Sequence, residues 1–280
     1  MEKKKLFQPV IKWSGSKRSQ AREIVNSFPK EIDKYYEPFV GGGSVMRALL
    51  ESDVKVNEVI CSDLNEDLIN LWKVIKDNPD KVISEYTWMH ILLETRENEA
   101  RKQEFYDKIR IEFNSDRDPY KFMFLLRTCF NGLVRYNADG KFNTSFHLNR
   151  NGIDQYKFNK IVREWSELLN MFDVKFVCCS YDEIKPSEND FMYLDPPYNN
   201  TKGMYLGSFS REEFFEWLGK QACGWALSYD GKSGKDDNTY NVPSIYDSHE
   251  YIKSGNSSFK RIKESDKGAI VYESLYIKNK

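Results

Sequence analysis

The chain has little with which to hold a metal. Its three histidines, His90, His147 and His249, stand far apart without H-x-x-x-H spacing. Its five cysteines, Cys61, Cys129, Cys178, Cys179 and Cys223, are scattered and odd in number, and the adjacent Cys178-Cys179 pair is not C-x-x-C. Neither a zinc site nor a disulfide framework is expected, and a reduced intracellular setting is. Long apolar runs are missing as well. No stretch reaches the roughly 18 apolar residues of a membrane span, and the basic start "MEKKKLFQPVIKW" has no signal-type apolar stretch behind it. A cytoplasmic protein without membrane contact is the expectation. Nor is there a large charge of one sign: the formal net charge is -1 with 30% charged residues, so a polyanion would have to meet a local basic surface. Residues 1 to 23, with seven Lys or Arg against two Glu, offer one.

What is present begins with length. At 280 residues the chain can bury one α/β domain of ordinary size plus an insertion. Short apolar runs bounded by turn residues alternate with helical patterns, the form of a parallel sheet with crossovers. Strands are expected near 34–39, 57–62, 174–179, 190–194 and 224–229. Between the second and third lies a mostly helical gap, with apolar positions at three and four spacing in "LINLWKVIKDNPDKVISEYTWMHILLE" and "FNKIVREWSELLNMF". A crossover needs far less, so an inserted subdomain is expected there. Within it, "RYNADGKFNTSF" sets Asp139-Gly140 between alternating segments and predicts a β-hairpin. After residue 230, "DGKSGKDDNTYNVPS" reads as a mobile loop. The tail "AIVYESLYIKN" predicts a final antiparallel strand beside a partner near 249–254. No internal repeat is visible.

Two stretches carry chemistry. In "YYEPFVGGGSVMRALL" a strand ends at Phe39, three glycines follow and a helix begins near Ser44, so the backbone could pass close to a ligand; a plain tight turn is the alternative. Asp63 ends the next strand, twenty residues past Gly43, where nucleotide-binding folds place the acid that grips a ribose; it could instead cap the following helix. In "NDFMYLDPPYNN" an apolar strand runs into Asp195, Pro196, Pro197 and Tyr198. Prolines cannot continue a central strand, so the carboxylate is set on stiff backbone at the carboxyl end of the sheet. Such a site suits an exocyclic amine. One N–H would bond Asp195 and the other the Pro196 carbonyl, while Tyr198 offers a face to a flipped ring. The nitrogen lone pair is then drawn out of conjugation, and no covalent enzyme intermediate is needed.

With "VIKWSGSK", "EPFVGGGSV", "RTCFNGLVRYN", "GKFNTSF" and "DPPY" in that order, the chain resembles the Dam-like DNA adenine-N6 methyltransferases, the D12 class of alpha type. The resemblance spans about residues 9 to 200 and continues weakly to the end. It implies a Rossmann-like class I methyltransferase sheet (1–64 and 173–280) that binds S-adenosyl-L-methionine. It also implies an inserted, mostly helical target-recognition subdomain (65–172) carrying the hairpin. Double-stranded DNA is the implied partner, a companion restriction endonuclease a candidate one, and no metal is required. The place of action would be the prokaryotic nucleoid or a phage-infected cell.

By the same resemblance, Phe39, Gly41 and Gly43 match the family's F-x-G-x-G, Glu37 and Pro38 line the donor pocket, and Asp63 is the ribose acid. Trp13, Ser14 and Lys17 match a motif that closes over the donor's methionine end, although Trp13 alone would read equally well as core. Asp195 stands in both the catalytic and the donor set. Lys12, Phe130, Asn131, Arg135, Asn137 and Arg150 are the DNA-facing candidates: Phe130 and Asn131 as a wedge, Arg135 as a reader of guanine through its planar fork, against the plainer reading of a surface arginine. Relatives that read G-A-T-C carry Gly-Arg after "NTSF", whereas His147 and Leu148 stand here with Arg150 beyond, so the target sequence is left open. Cytosine-N4 methylation, methylation of a glutamine amide or an RNA base, and a decayed DNA-binding protein are the competing readings. Asp195 in place of serine, the wedge and hairpin, and the intact motifs count against each in turn.

Overall fold

In the computed structural model, residues 6–197, 209–234, 236–243, 245–256 and 270–279 are described. The strands are β1 (Glu31–Glu37), β2 (Lys55–Asp63), β3 (Val174–Cys178), β4 (Phe191–Leu194), β5 (Gly224–Ser233), β6 (Asp236–Asp237), β7 (Ser248–Asn256) and β8 (Ile270–Lys278). They form one sheet in the order β3-β2-β1-β4-β5-β8-β7, with the two-residue β6 beside β5. The first five are parallel and β8 runs antiparallel to both β5 and β7. The chain winds outward through β1, β2 and β3 and then restarts at β4 on the other side of β1. That reversal opens a crevice at the carboxyl ends of β1 and β4, where doubly wound sheets bind ligands.

Side chains alternate between two cores, as the two-residue period of a strand requires. Tyr35, Phe191, Tyr193 and Ala226 face one core, while Tyr36, Met192, Leu194, Trp225 and Leu227 face the other. The second core is closed by α8 (Arg211–Gly219) through Phe214, Phe215 and Leu218. The first takes α1 (Ala21–Asn26), α2 (Ser44–Leu50) and every helix between β2 and β3. Those are α3 (Glu66–Asp77), α4 (Pro79–Glu94), α5 (Glu99–Asp116), α6 (Pro119–Thr128) and α7 (Gln155–Met171). The long helical gap is therefore built onto one sheet face through a continuous apolar core.

The helices stop and start where capping chemistry dictates. The single apolar pattern from Leu68 to Glu94 is cut at Asn78-Pro79, because a proline fits the first turn of a helix and breaks an interior. Asn65, Asn98, Asp118 and Asp154 each take a backbone N–H of the first turn, worth about 1 kcal/mol apiece. The hairpin at Asp139-Gly140 is present and short: Asn137 N–H donates to the Lys141 carbonyl and Asn143 N–H to the Arg135 carbonyl, each at 2.9 Å, around the antiparallel bridge Tyr136–Phe142, with a second bridge at Cys129–Phe146. One expectation is corrected. The stretch after residue 230 is not wholly a loop: β5 runs to Ser233 and turns back through β6, with Lys232 paired to Asp237. No helix among the described residues is long and apolar enough to cross a membrane.

Candidate active site

The glycine turn leaves β1 through Pro38, Phe39 and Val40, and it is fixed from several sides. Val40 N–H donates to the Ser62 carbonyl and Gly43 N–H to the Val40 carbonyl, at 3.0 and 2.8 Å. Trp72 on α3 donates its indole N–H to the Gly41 carbonyl at 3.0 Å, and Gly41 N–H donates to Asp63 Oδ2 at 3.3 Å. Gly41 and Gly43 both have positive φ, 45° and 63°. A Cβ at Gly41 would lie 2.8 Å from Trp13 Cδ1, and one at Gly43 would lie 2.8 Å from Met46 and Trp72. The glycines are thus required for backbone shape and for the close approach of two tryptophans. Trp13, half-buried against the main core, lies directly on the turn.

Asp63 ends β2. It does not cap α3, since the cap is Asn65, whose side chain accepts from Leu68 N–H at 3.0 Å. Asp63 Oδ1 accepts from Asn65 N–H at 3.0 Å and Oδ2 from Gly41, so the carboxylate braces the turn and keeps further lone pairs on a half-buried group. Burial pushes its carboxyl up to about 6 despite the backbone donors. Glu37 ends β1 just before the turn. It is 3% exposed, accepts from Tyr35 O–H at 2.7 Å, and burial pushes it up to about 8, so at neutral pH it is largely a neutral acid. Pro38 is buried. Phe39 is half-buried among Tyr181, Phe209 and Phe214, with ring centroids 5.8 to 6.3 Å away.

Asp195 follows β4 with Pro196 and Pro197 behind it, while Tyr198 lies outside the described residues. The side chain of Asp195 is 18% exposed and its Oδ1 is 2.8 Å from the Lys17 ammonium. Lys17, 6% exposed, also lies 3.2 Å from Glu273 on β8. Burial works to lower the Lys17 pKa, but Asp195 and Glu273 more than offset it and hold the lysine charged. Lys17 thus joins the carboxylate that follows β4 to one on β8. Half-buried Ser14 precedes it, and Ser16 Oγ lies 2.8 Å from Ser44 Oγ at the start of α2.

The segment 12–17 touches the third motif as well. Lys12 packs on Gly132, where a Cβ would lie 3.0 Å from its own Cβ. Burial, then Arg127, and more weakly Arg150, lower the Lys12 pKa, so Lys12 and Arg150 share one electropositive region. Phe130, 46% exposed, is stacked on His147 at 5.4 Å. Asn131 is exposed with a left-handed φ of 55°. Exposed Arg135 donates from Nε to Asn143 Oδ1 at 2.8 Å. Asn137 is spent locally: its Oδ1 accepts from the N–H groups of Asp139 and Lys141, which shapes the hairpin tip.

Sequence reasoning missed Tyr181, Phe209, Asp230 and Glu273. Tyr181 could have been found, because it follows β3 at the carboxyl end where ligands bind. Glu273 also had a signal, a lone carboxylate inside the apolar strand "IVYESLYI". Asp230 and Phe209 had none that spacing reveals.

A doubly wound α/β sheet with a glycine turn after β1, an acid at the end of β2 and a lysine-paired carboxylate after β4 is what fold and site define. The sequence profile of the D12 class N6 adenine-specific DNA methyltransferases matches residues 13–269, and the chain belongs to that family. It is 38% identical over 228 residues to the type II methyltransferase M.MjaIII of Methanocaldococcus jannaschii, covering 74% of this chain and 75% of that one. It is 30% identical over 197 residues to a DNA adenine methylase of Haemophilus influenzae, covering 68% and 64%. To the type II methyltransferase M.CviBI of Paramecium bursaria Chlorella virus NC1A it is 28% identical, covering 74% and 75%. Among solved structures, the rRNA methyltransferase aviRa of Streptomyces viridochromogenes matches with a TM-score of 0.40 at 12% identity over 99% of this chain and 87% of that one, too loose to carry a conclusion. The activity is methyl transfer to adenine N6 in DNA, and the cytosine-N4 reading is set aside.

Proposed function

We propose that segment 12–17 gathers a donor site, a catalytic carboxylate and a target-reading tip into one centre, and that this centre methylates adenine flipped out of duplex DNA. The observation that carries the reading is the reach of those six residues: Trp13 on the glycine turn, Lys17 on Asp195, Lys12 on the Gly132 tip. Bound S-adenosyl-L-methionine supplies an electrophilic methyl group. The donor set fits it: Asp63 keeps lone pairs for a ribose diol, and half-buried Phe39, Tyr181 and Phe209 form an aromatic wall beside the glycine turn for a purine ring.

At the target, Asp195 takes one hydrogen bond from the exocyclic amine and the Pro196 carbonyl takes the other, on backbone that two prolines keep stiff. Both protons are drawn toward acceptors, so the nitrogen lone pair is free to attack. Lys17 keeps Asp195 ionised and oriented. Helices between β2 and β3, residues 65–172, act as the target-recognition subdomain: Phe130 and Asn131 fill the gap left by the extruded base, Arg135 reads a guanine, and Lys12 and Arg150 meet the DNA. Asn137 serves by shaping the tip. A companion restriction endonuclease is a candidate partner, tested by digesting DNA from cells with and without the protein.

The test is Asp195→Ala. Methyl transfer to unmethylated duplex DNA should fall at least about a hundredfold, while calorimetry finds donor binding within a few-fold of wild type. Lost donor binding with substantial turnover remaining would contradict these roles.

A further inference from the structure

Lys17 is held between carboxylates from two ends of the sheet, and only one of them belongs to the D-P-P segment. The other, Glu273, lies in the middle of β8, 3.2 Å from the ammonium. Its presence there depends on a β-bulge. Tyr229 of β5 pairs with Ser274 of β8, and Lys232 pairs with Tyr272, so two β5 residues, Asp230 and Gly231, stand opposite the single Glu273. Gly231 can occupy that place only as glycine, because a Cβ would run into the Tyr272 carbonyl and lie 2.9 Å from Ser274 N. Bulges bend a strand and re-aim side chains. Here the bulge is level with the Lys17 ammonium, and Asp230, raised by burial and next by Glu273, feels Lys17 as well.

The backbone of Lys17 is also fixed: its carbonyl accepts from the N–H groups of Gln20 and Ala21 at 2.9 and 2.7 Å, which starts α1. The ammonium at the end of its four-carbon side chain donates to the Gly15 carbonyl at 3.4 Å as well as meeting the two carboxylates. A single partner at Asp195 would let it swing with the carboxylate, whereas a second from another strand fixes the ammonium from the far side. We propose that Glu273 is a positioning residue for methyl transfer, acting through Lys17 to set the orientation and charge of Asp195. This rests on Asp195 being the acceptor for the target amine. The charged and titratable groups facing the pair are Asp195 after β4, Glu273 on β8, Asp230 on β5, Glu37 on β1 and Tyr193 on β4, the last bonded to Ser228. Among them Glu273 and Asp195 are the two in ion-pair contact with Lys17.

The experiment compares the full-length protein with Glu273→Gln, Glu273→Asp and Asp195→Ala. It measures single-turnover methylation of unmethylated duplex DNA against pH, donor affinity by calorimetry and thermal unfolding. Glu273→Gln removes one of the carboxylates that, among the described residues, hold Lys17 protonated against burial. Its plateau rate should fall about tenfold or more, and its alkaline limb should move down by roughly one pH unit, with donor affinity and unfolding temperature near wild type. Glu273→Asp keeps the charge with a shorter reach, so its alkaline limb should return toward wild type while the plateau stays low. A Glu273→Gln profile that superimposes on wild type overturns the inference. So does a loss of rate that only tracks loss of folding while the limb stays fixed. If Asp195→Ala is inactive in either of those cases, the inference alone falls; if Asp195→Ala turns over normally, the reading of the site falls with it.

Discussion

The glycine-turn cleft and the tip around Phe130 and Asn131 are met by adjacent residues of segment 12–17, Trp13 and Lys12, and they are built differently. In the cleft, the glycine turn is tied by backbone bonds to Ser62 and Val40, by the Trp72 indole and by Asp63, on top of a stack in which Trp72 lies parallel to Phe176 at 5.4 Å. At the tip, Phe130 leaves nearly half its surface in water, Asn131 holds a left-handed φ without being glycine, and Arg135 is held by Asn143. The cleft gains stability from each of its contacts. The tip carries exposed apolar surface and backbone strain on the order of 1 kcal/mol that folding alone does not reward.

The comparison breaks first at Trp72. Trp72→Ala should cost about 3–5 kcal/mol in denaturant unfolding, taking the glycine turn and Asp63 with it, whereas Phe130→Ala should cost within about 0.5 kcal/mol. Equal costs at the two positions would erase the distinction between a rigid cleft and a reactive tip.

Glu37 tests whether the cleft's rigidity has a pH limit. Burial raises its carboxyl from 4.5 to about 8, against the bond from Tyr35. Because the folded value lies above the unfolded one, the native state holds a proton that the unfolded chain releases. The contribution is full below about 4.5 and is lost as pH rises through about 8. Glu37→Gln, neutral at every pH, should therefore gain on wild type across that window, by on the order of 4–5 kcal/mol at its alkaline end. Melting curves of the two proteins that stay parallel from acid to alkaline pH would exclude a buried neutral acid.

Asp63 is expected to matter for binding more than for folding. Asp63→Ala should weaken the donor by about 1–3 kcal/mol, the value of charge-assisted hydrogen bonds to a ribose, and saturating donor should restore much of the turnover. Since the wild-type carboxyl is raised to about 6, donor affinity should fall as pH drops through that value, and Asp63→Asn should flatten the dependence. Titration calorimetry at a series of pH values reads both effects.

These residues also mark how far the sequence could be read. The expected strands matched β1 to β5, β7 and β8 to within a few residues, because a central parallel strand must be apolar on both faces and its crossovers must be helical. The motifs fell at the carboxyl ends of β1, β2 and β4 for the same reason. Tertiary partners were not legible. Nothing near Lys17 announces Glu273 some 250 residues on, nothing in "EPF" shows that Glu37 faces inward, and the bulge at Asp230-Gly231 is a property of two strands and not of one. The hairpin was legible because Asp139-Gly140 signals the turn and the arms bond across it, while its anchor on α5 was not: the Asn114 side chain takes the Phe142 N–H and donates to its carbonyl.

The smallest effect on stability, and the most specific effect on function, is expected at Arg135. It is exposed, and Asn143 holds it twice, Nε donating to Oδ1 at 2.8 Å and Nη2 to the backbone carbonyl at 3.4 Å, so the guanidinium is oriented before any DNA arrives and its remaining N–H groups can meet a guanine edge. Arg135→Ala should leave unfolding within about 0.5 kcal/mol of wild type. It should lower methylation of the preferred site by about 1–3 kcal/mol and relax discrimination at one base pair. Asn143→Ala should give a weaker form of the same change, since it releases the fork without removing it. Phe130→Ala should instead slow extrusion on matched sites with little change in which sites are chosen. The measurement is the methylation rate on duplexes varied one base pair at a time. If Arg135→Ala scales every rate by one factor and leaves their rank intact, Arg135 is a phosphate contact, and the reader of guanine must be sought at Lys12 or Arg150, which share the electropositive region beside the tip.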